Sequence, residues 1–367
     1  MSIAHDTFMR EAFSLAYRAK GSTSPNPAVG AVIVKNGRII GRGATENAGR
    51  HAEMVALANV RRKSDIRGAS MYVTLEPCVR MYPGKRNPPC TDAMIASGIR
   101  SVCIGSIDRN RYVNGDGVKK LRANGARVMT GVLGEETDHF YRDYHRFITR
   151  SRPYVIVKYA MSMDGKIATR TGNSQWISSP ASRAFAHEVR AYADAVLVGS
   201  GTYLADDPHL NVRHGAKKGR IPLRIILTRD AKLPLTGRIF RDGGPYLVVT
   251  DAKSAPSFKR RLPAGTIDRV RTAKNGFDID ALLAMLASRG IMSVMVEGGG
   301  NTIASFMEAN AVDEVFAVIA PMVIGGKDAP GPCTGRGVAR VDDAMRFAHT
   351  EIERIGTDII LHAWKER

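Results

Sequence analysis

A chain of 367 residues exceeds one compact domain, and 44% hydrophobic with 24% charged residues excludes disordered and fibrous classes, so two globular domains are expected. The formal net charge of +19 invites a nucleic-acid reading, but 24 Lys and Arg stand against 13 Asp and Glu in residues 1–150 and 30 against 22 in the remainder, a diffuse excess that suits anionic small molecules equally. No apolar run reaches the roughly eighteen residues of a membrane span, the stretch from His5 to Lys20 is too charged for a signal peptide, and four cysteines are too few to staple the fold. A cytoplasmic protein with neither a membrane nor a nucleic-acid partner is expected.

Phe8, Ala12, Leu15, Ala16 and Ala19 recur at helical spacing and predict an amphipathic helix. The apolar run Val29 to Val34, the turn at Asn36-Gly37, a second run near Ile39 and a helical stretch from His51 to Arg62 then predict strand, turn, strand and helix. A strand from Met71 to Leu75, a Pro-rich loop, a helix near Asp92 to Ser97, the strand Ser101 to Ser106, a helix around Val118 to Ala123 and a short strand Arg127 to Met129 complete an α/β layered unit. The basic, Pro-containing segment from Thr149 to Pro153 marks the boundary, dividing the chain into residues 1–150 and 151–367. Beyond it, strands are expected at Tyr154 to Ala160, Ala195 to Val198, Leu223 to Leu227, Tyr246 to Thr250, Ser293 to Val296, Glu314 to Ile319 and Ile359 to Trp364. Helices fall near Ser182 to Tyr192, Ile279 to Ala287 and Thr302 to Ala309, again an α/β pattern.

His51-Ala52-Glu53 at a helix start, Glu76-Pro77-Cys78 after the next strand and Pro88-Pro89-Cys90 form a metal constellation. One imidazole and two thiolates are three zinc ligands that leave a fourth position for water, and Glu53 is then free for acid–base work. A purely structural zinc is the alternative; a carboxylate two residues from the ligand argues against it.

These segments, with Thr23-Ser24-Pro25-Asn26-Pro27-Ala28-Val29-Gly30 and Thr74-Leu75-Glu76-Pro77-Cys78, resemble the bifunctional deaminase/reductases of riboflavin biosynthesis over nearly the whole chain. The resemblance implies a cytidine-deaminase-like fold, His51, Cys78 and Cys90 on zinc, Glu53 as proton shuttle, and Asn26 and Arg86 against substrate. A turn-forming Asn-Pro and a solvated Arg86 beside Lys85 are the plain alternatives. Three features depart from the family: Val79-Arg80 where it has Ser-His, about three extra residues between Cys78 and Cys90, and Thr45 where a histidine is frequent.

In the second half, Lys158 to Lys166, Ser174 to Ser178, Leu197 to Thr202, Asp206-Asp207-Pro208 and Val296 to Gly300 resemble the reductase of the same family, which is dihydrofolate-reductase-like. Three glycines closing a strand and opening a helix can bring backbone N–H groups to cofactor phosphates. The resemblance implies NADPH contacts at Ala160, Trp176, Thr202, Asp206, Gly299, Gly300, Asn301, Thr302, Ile303, Ala304 and Ser305, and substrate contacts at Ser174, Arg190, Leu210, Arg213 and Glu297. Arg190 and Arg213 suit a fork for the substrate phosphate; Trp176 could instead be core and Arg190 a surface charge. Asp164 and Lys166 could serve the site or simply make structural pairs.

The expected function is zinc-dependent deamination of a phosphoribosyl pyrimidine followed by NADPH reduction of its ribosyl chain, by a homo-oligomer. The departures at Val79-Arg80 and in the following loop leave a reductase with a degenerate, scaffolding first domain as the alternative, and an RNA-binding deaminase fold as a third.

Overall fold

The computed structural model describes residues 3–365 except 48, 82–86, 216–219 and 274–275, with the side chains of residues 3 and 4 also left aside. The chain divides into two compact units, Met1–Ser151 and Arg152–Arg367.

The first unit runs α1 (Ile3–Ala19), β1 (Gly30–Lys35), β2 (Arg38–Ala44), α2 (Ala52–Ala58), β3 (Ser70–Leu75), α3 (Cys90–Ala96), β4 (Ser101–Ser106), α4 (Asp116–Ala123), β5 (Arg127–Thr130), α5 (Gly134–Phe140) and α6 (Arg142–Arg150). Its sheet has the order β2-β1-β3-β4-β5, with β1 antiparallel to both neighbours and β3, β4 and β5 parallel. Successive strand residues face opposite sides, and two glycines show how closely the helices approach each face. A Cβ at Gly30 would sit 1.8 Å from the Ala12 carbonyl oxygen of α1. A Cβ at Gly43, which pairs with Ala31 on the other face, would sit 2.2 Å from the Ala52 oxygen of α2. The sheet is therefore sandwiched between helices, with Met9, Ala12, Val32, Val34 and Tyr72 filling the α1 side.

The second unit runs β6 (Tyr154–Ser162), α7 (Pro180–Tyr192), β7 (Ala195–Gly199), α8 (Ser200–Asp206), β8 (Leu223–Leu227), α9 (Arg238–Arg241), β9 (Tyr246–Thr250), α10 (Ala255–Lys259), β10 (Ile267–Arg269), β11 (Thr272–Ala273), β12 (Gly276–Phe277), α11 (Ile279–Ser288), β13 (Ser293–Val296), α12 (Gly300–Glu308), β14 (Glu314–Ala320), β15 (His349–Ile355) and β16 (Asp358–Trp364). The main sheet has the order β10-β9-β8-β7-β13-β6-β14-β16-β15, parallel from β10 to β14 and antiparallel at β16 and β15. Parallel strands covered on both faces read as continuous apolar runs. Val155, Leu197, Ile225 and Val294 pack with α11 and α12, while Ile156, Val196, Ile226 and Met295 pack on the opposite face with Phe185 and Val189 of α7, Tyr203 of α8 and Phe258 of α10. The mixed α/β class expected for both halves is what the chain adopts.

Several elements differ from the expectation. The helix expected to run from His51 to Arg62 stops at Ala58, with Asn59 as its C-cap. The segment read as a linker from Thr149 begins inside α6, which continues to Arg150. Helices α5 and α6, the short α8, α9 and α10, and the edge strand β15 lie where no element was expected.

Candidate active sites

In the first unit, His51 is the residue before α2, Cys78 lies in the loop after β3, and Cys90 opens α3. The donor atoms of the three lie within 4.8 Å of one another. His51 Nδ1 is 3.6 Å from Cys78 Sγ and 3.3 Å from Cys90 Sγ, so Nδ1 is the ring atom turned toward the thiols. Both cysteines are buried and free of disulfides. Metal–sulfur and metal–nitrogen bonds of about 2.3 and 2.0 Å would place one ion among atoms so spaced, and a soft N,S,S donor set is chemistry zinc favours. The Cys90 backbone N–H also donates to Cys78 Sγ at 3.2 Å, which favours the thiolate. Glu53 follows on the first turn of α2, fully enclosed; burial, ahead of its charged neighbours, pushes its carboxyl up from the usual range.

Glu76 is the residue of this centre whose role the sequence concealed. Its buried carboxylate accepts from the backbone N–H groups of Asp108 (3.3 Å), Gly115 (2.8 Å) and Val118 (3.1 Å), tying the strand end that carries Cys78 to the start of α4. Gly117 permits that approach, since a Cβ there would lie 2.4 Å from the Pro77 oxygen and 2.9 Å from Glu76 Oε1. The departure Val79-Arg80 is absorbed on the same helix: Arg80 pairs with Asp116, and Lys120 reaches the Val79 carbonyl at 3.4 Å.

Asn26 sits in a turn closed by its own N–H to the Thr23 carbonyl (2.9 Å) and by Thr23 Oγ1 to the Asn26 carbonyl (3.0 Å). Its side-chain nitrogen lies 3.6 Å from where a Cβ on Gly49 would be, two residues before His51. Asn87, just ahead of Pro88-Pro89-Cys90, donates to the Gly49 carbonyl at 2.7 Å. Arg86 and Lys85 lie outside the described residues.

The second unit holds a cavity of about 1060 Å³ at the carboxyl ends of its parallel strands, the place where such sheets bind ligands. Ala160, Ser174, Trp176, Arg190, Thr202, Asp206, Leu210, Arg213, Glu297, Gly299, Gly300, Asn301, Thr302, Ile303 and Ser305 line it. Ala304 does not; it is buried on α12 against Gly335. Trp176 is 64% exposed at the cavity mouth beneath Arg183, and so is not a core residue.

Arg190 is not a surface charge: it lines the cavity as half of a buried ion pair. Its Nε and Nη2 donate to the two oxygens of Glu297, both at 2.7 Å, and Nη1 donates to the Asn211 carbonyl at 2.6 Å. The pair is buried, with side chains 9% and 12% exposed. Burial raises the Glu297 carboxyl, but the Arg190 charge and hydrogen bonds overcome that and hold it below its usual range. Among the described residues the Arg213 guanidinium reaches only its neighbour Asn211, at 2.9 Å, and keeps donors for a ligand. Lys158, an interruption of the apolar run of β6, lines the cavity near Glu297, its ammonium pushed down by burial. Asp206 is raised by burial and restrained by a hydrogen bond from Ser174.

Glycines bring the starts of α8 and α12 together. A Cβ on Gly199 would meet Thr302 Oγ1 at 2.4 Å, and one on Gly299 would meet Thr202 Oγ1 at 3.2 Å. This cradle of backbone N–H groups at the nine-residue α12 suits the phosphates of a dinucleotide. Asp164 and Lys166 make structural pairs instead: Asp164 accepts from the Ile324 and Gly325 N–H groups at 3.0 and 2.8 Å, and Lys166 Nζ donates to the Ala329 carbonyl at 3.0 Å.

The sequence profile of the RibD C-terminal domain matches residues 153–361, more than half of the chain. The chain belongs to the RibD family. A second profile, the cytidine and deoxycytidylate deaminase zinc-binding region, matches residues 2–106. The riboflavin biosynthesis protein RibD of Aquifex aeolicus is 39% identical over 356 residues, covering 96% of each chain, and that of Escherichia coli is 35% identical, covering 97% of this chain and 98% of its own. A diaminohydroxyphosphoribosylaminopyrimidine deaminase/5-amino-6-(5-phosphoribosylamino)uracil reductase of Thermotoga maritima superposes with a TM-score of 0.85 at 35% identity, covering 99% of both chains. Acinetobacter baumannii RibD superposes at 0.83 with 29% identity over 99% of both. The protein is thus a bifunctional enzyme of riboflavin biosynthesis, a zinc-dependent deaminase and NADPH-dependent reductase acting on a small pyrimidine substrate. No helix among the described residues is long and apolar enough to cross a membrane.

Proposed function

We propose that residues 1–150 hydrolyse the 2-amino group of 2,5-diamino-6-(ribosylamino)-4(3H)-pyrimidinone 5′-phosphate, and that residues 151–367 then reduce the ribosyl chain of the product to ribityl with NADPH. The observation that carries the reading is the occurrence in one chain of a convergent His51, Cys78 and Cys90 with an enclosed Glu53, and of a cavity uniting a glycine cradle with Glu297 and Arg213.

In the first site His51, Cys78 and Cys90 hold zinc. When bound, the ion supplies the Lewis acidity that brings the pKa of water toward neutrality. Glu53, its proton affinity raised by burial, takes a proton from the attacking water and gives it to the departing amino nitrogen, which leaves as ammonia. Asn26 orients the pyrimidinone, and Arg86 is assigned to substrate binding by its place in the sequence just ahead of Pro88-Pro89-Cys90.

In the second site Ala160, Trp176, Thr202, Asp206, residues 299–303 and Ser305 would hold NADPH, which would supply hydride to the ribose C1′ in its open imine or aldehyde form. No protein nucleophile is needed; the residues hold the reactants together and exclude water. Arg213 takes the phosphate. Arg190 sets Glu297, which with Ser174 and Leu210 binds the ribosyl chain.

The protein is proposed to act in the cytoplasm, without a nucleic-acid partner, as a homo-oligomer. What supports the last point is β15, an edge strand whose Ile352 is 74% exposed, because unpaired strand edges are ordinarily covered. Ile352→Asp should lower the sedimentation coefficient; an unchanged value rejects that surface.

The test is to supply the diaminopyrimidinone phosphate with and without NADPH. Zinc-loaded protein should release ammonia in both cases and oxidise NADPH only when the cofactor is present. Oxidation of NADPH coupled to reduction of supplied deaminated substrate, without any ammonia release from the diamino substrate, would instead establish the reductase-only reading.

A further inference from the structure

Residues 26–30, which follow α1 and lead into β1, are held by buried side-chain hydroxyls as well as by backbone pairing. Thr23 closes the Asn26 turn as described. Val29 is clasped by Thr45, whose N–H donates to the Val29 carbonyl at 2.9 Å while its Oγ1 accepts from the Val29 N–H at 3.0 Å. The residue that departs from the frequent histidine therefore has a structural task here.

The third clasp reaches furthest in sequence. The Gly30 N–H donates to Thr74 Oγ1 at 3.0 Å, Thr74 Oγ1 and the Tyr141 hydroxyl lie 2.6 Å apart, and the Tyr141 hydroxyl donates to the Ala28 carbonyl at 3.0 Å. One orientation satisfies all of these contacts: Gly30 N–H to Thr74, Thr74 O–H to Tyr141, Tyr141 O–H to Ala28. Each hydroxyl then accepts once and donates once; the other acceptor in reach of the Thr74 hydroxyl, the Gly30 carbonyl, lies at 3.5 Å, much farther than the Tyr141 oxygen. Thr74 and Tyr141 are both essentially fully buried, where an unmade hydrogen bond is costly and a made one is rigid.

The three anchor points belong to different parts of the first unit. Thr74 lies on β3, four residues before Cys78, and Tyr141 is the residue between α5 and α6. Ala28 is two residues from Asn26, whose side chain lies beside Gly49 in the turn leading to His51. A displacement of Ala28 would therefore move Asn26 relative to the strand that delivers the metal loop.

We propose that Tyr141, acting through Thr74, is a positioning residue of the deaminase: the oriented hydroxyl chain fixes residues 28–30 and thereby holds Asn26 at the mouth of the His51, Cys78 and Cys90 site. The inference rests on the reading of Asn26 as a substrate contact. It predicts an effect on substrate affinity more than on zinc or on turnover, because the hydrogen bonds of both hydroxyls go to each other and to residues 28–30 and not to a metal-cluster residue or to Glu53.

The full-length zinc-loaded protein with Tyr141→Phe should bind zinc at wild-type stoichiometry and oxidise NADPH with supplied deaminated substrate at the wild-type rate. Its KM for ammonia release should rise roughly tenfold, with kcat changing much less, as expected when a binding contact is misplaced. Thr74→Val should do the same, whereas Thr74→Ser, which keeps the oxygen, should retain the wild-type KM. Combined with Asn26→Ala, Tyr141→Phe should add nothing further, because both act on one contact. A wild-type KM in Tyr141→Phe, equal KM values for Thr74→Ser and Thr74→Val, or multiplicative effects with Asn26→Ala would overturn the proposal. Absence of ammonia release by the wild-type protein would instead count against the deaminase reading itself.

Discussion

Glu53 and Arg190 are both enclosed and charged, yet the surroundings give them opposite tasks. Among the described residues no cation is bonded to the Glu53 carboxyl, and burial raises its proton affinity, the state a proton carrier near neutral pH requires. Glu53→Gln should therefore keep about one zinc per chain and lower ammonia release by roughly two or more orders of magnitude, while reduction of supplied deaminated substrate persists. Equal loss of both activities would reject the assignment. Arg190 is consumed by Glu297, so Arg190→Ala leaves a buried carboxylate without its partner and should cost about 3–5 kcal/mol of stability, read as lower denaturant resistance of the second unit. Arg213→Ala should leave stability alone and weaken substrate by roughly 10–100-fold, with NADPH affinity unchanged, since a charged hydrogen bond contributes about 1.5–3 kcal/mol. Arg229 extends this reasoning to the cofactor. It follows β8 and lines the cavity, and its guanidinium has no partner among the described residues. If it meets the 2′-phosphate, Arg229→Ala should weaken NADPH roughly tenfold and leave NADH unaffected in a fluorescence titration. The cluster of His51, Cys78 and Cys90 was legible because each sits in a short motif of its own. The Arg190 to Glu297 pair was not, because it joins a mid-helix residue to a strand end 107 positions away.

At the scale of elements, legibility followed apolar continuity. Strands β6, β7, β8, β9, β13 and β14 are runs buried on both faces, and each was readable as such. Strand β15 reads His-Thr-Glu-Ile-Glu-Arg-Ile and is solvent-facing almost throughout, so it offers no such run. Helices α5 and α6 are short and dominated by charged and polar residues, and tertiary contacts such as the one through Tyr141 support them. The anchoring of α4 by Glu76 was equally hidden, since its partners are backbone groups. Glu76→Gln replaces one accepting oxygen by a donor among three converging N–H groups, and should weaken zinc by roughly tenfold or more in a chelator competition, with the reductase untouched. Helix α7 carries a pH signature. Burial, then the charges of Arg190 and Arg213, pushes His187 down to about 4. Between its ordinary value of about 6.5 and 4 the unfolded chain binds more protons at this site, so the stability contributed by neutral His187 is full above pH 6.5 and lost as pH falls through 4. Thermal melts from pH 7 to 4 should show the wild type losing more stability than His187→Asn over that window; parallel curves would show that His187 does not titrate there.

The whole molecule carries two chemistries whose requirements do not overlap. One needs a soft metal and a proton carrier, the other a dinucleotide cradle and a phosphate-binding cation, and each set of residues is drawn from one of the two units alone. Each unit also closes its own sheet and core: the clusters around Val32 and Tyr72 and those around Val157 and Val198 share no residue across Ser151. A domain with its own core and sheet has the means to fold alone. A fragment beginning at Arg152 should therefore fold, bind NADPH and oxidise it with the deaminated ribosyl phosphate, at a KM near that of the whole protein, and release no ammonia from the diamino substrate. The cut falls directly after α6 and before Arg152, whose Nη2 donates to the Ala311 carbonyl at 2.7 Å and lies 3.6 Å from Asp313, so the fragment should start at Arg152 and not later. Circular dichroism and NADPH fluorescence separate the possible failures. A folded fragment that cannot bind NADPH would reject the assignment of the cofactor to this unit, whereas a fragment that does not fold would show that the second core depends on the first.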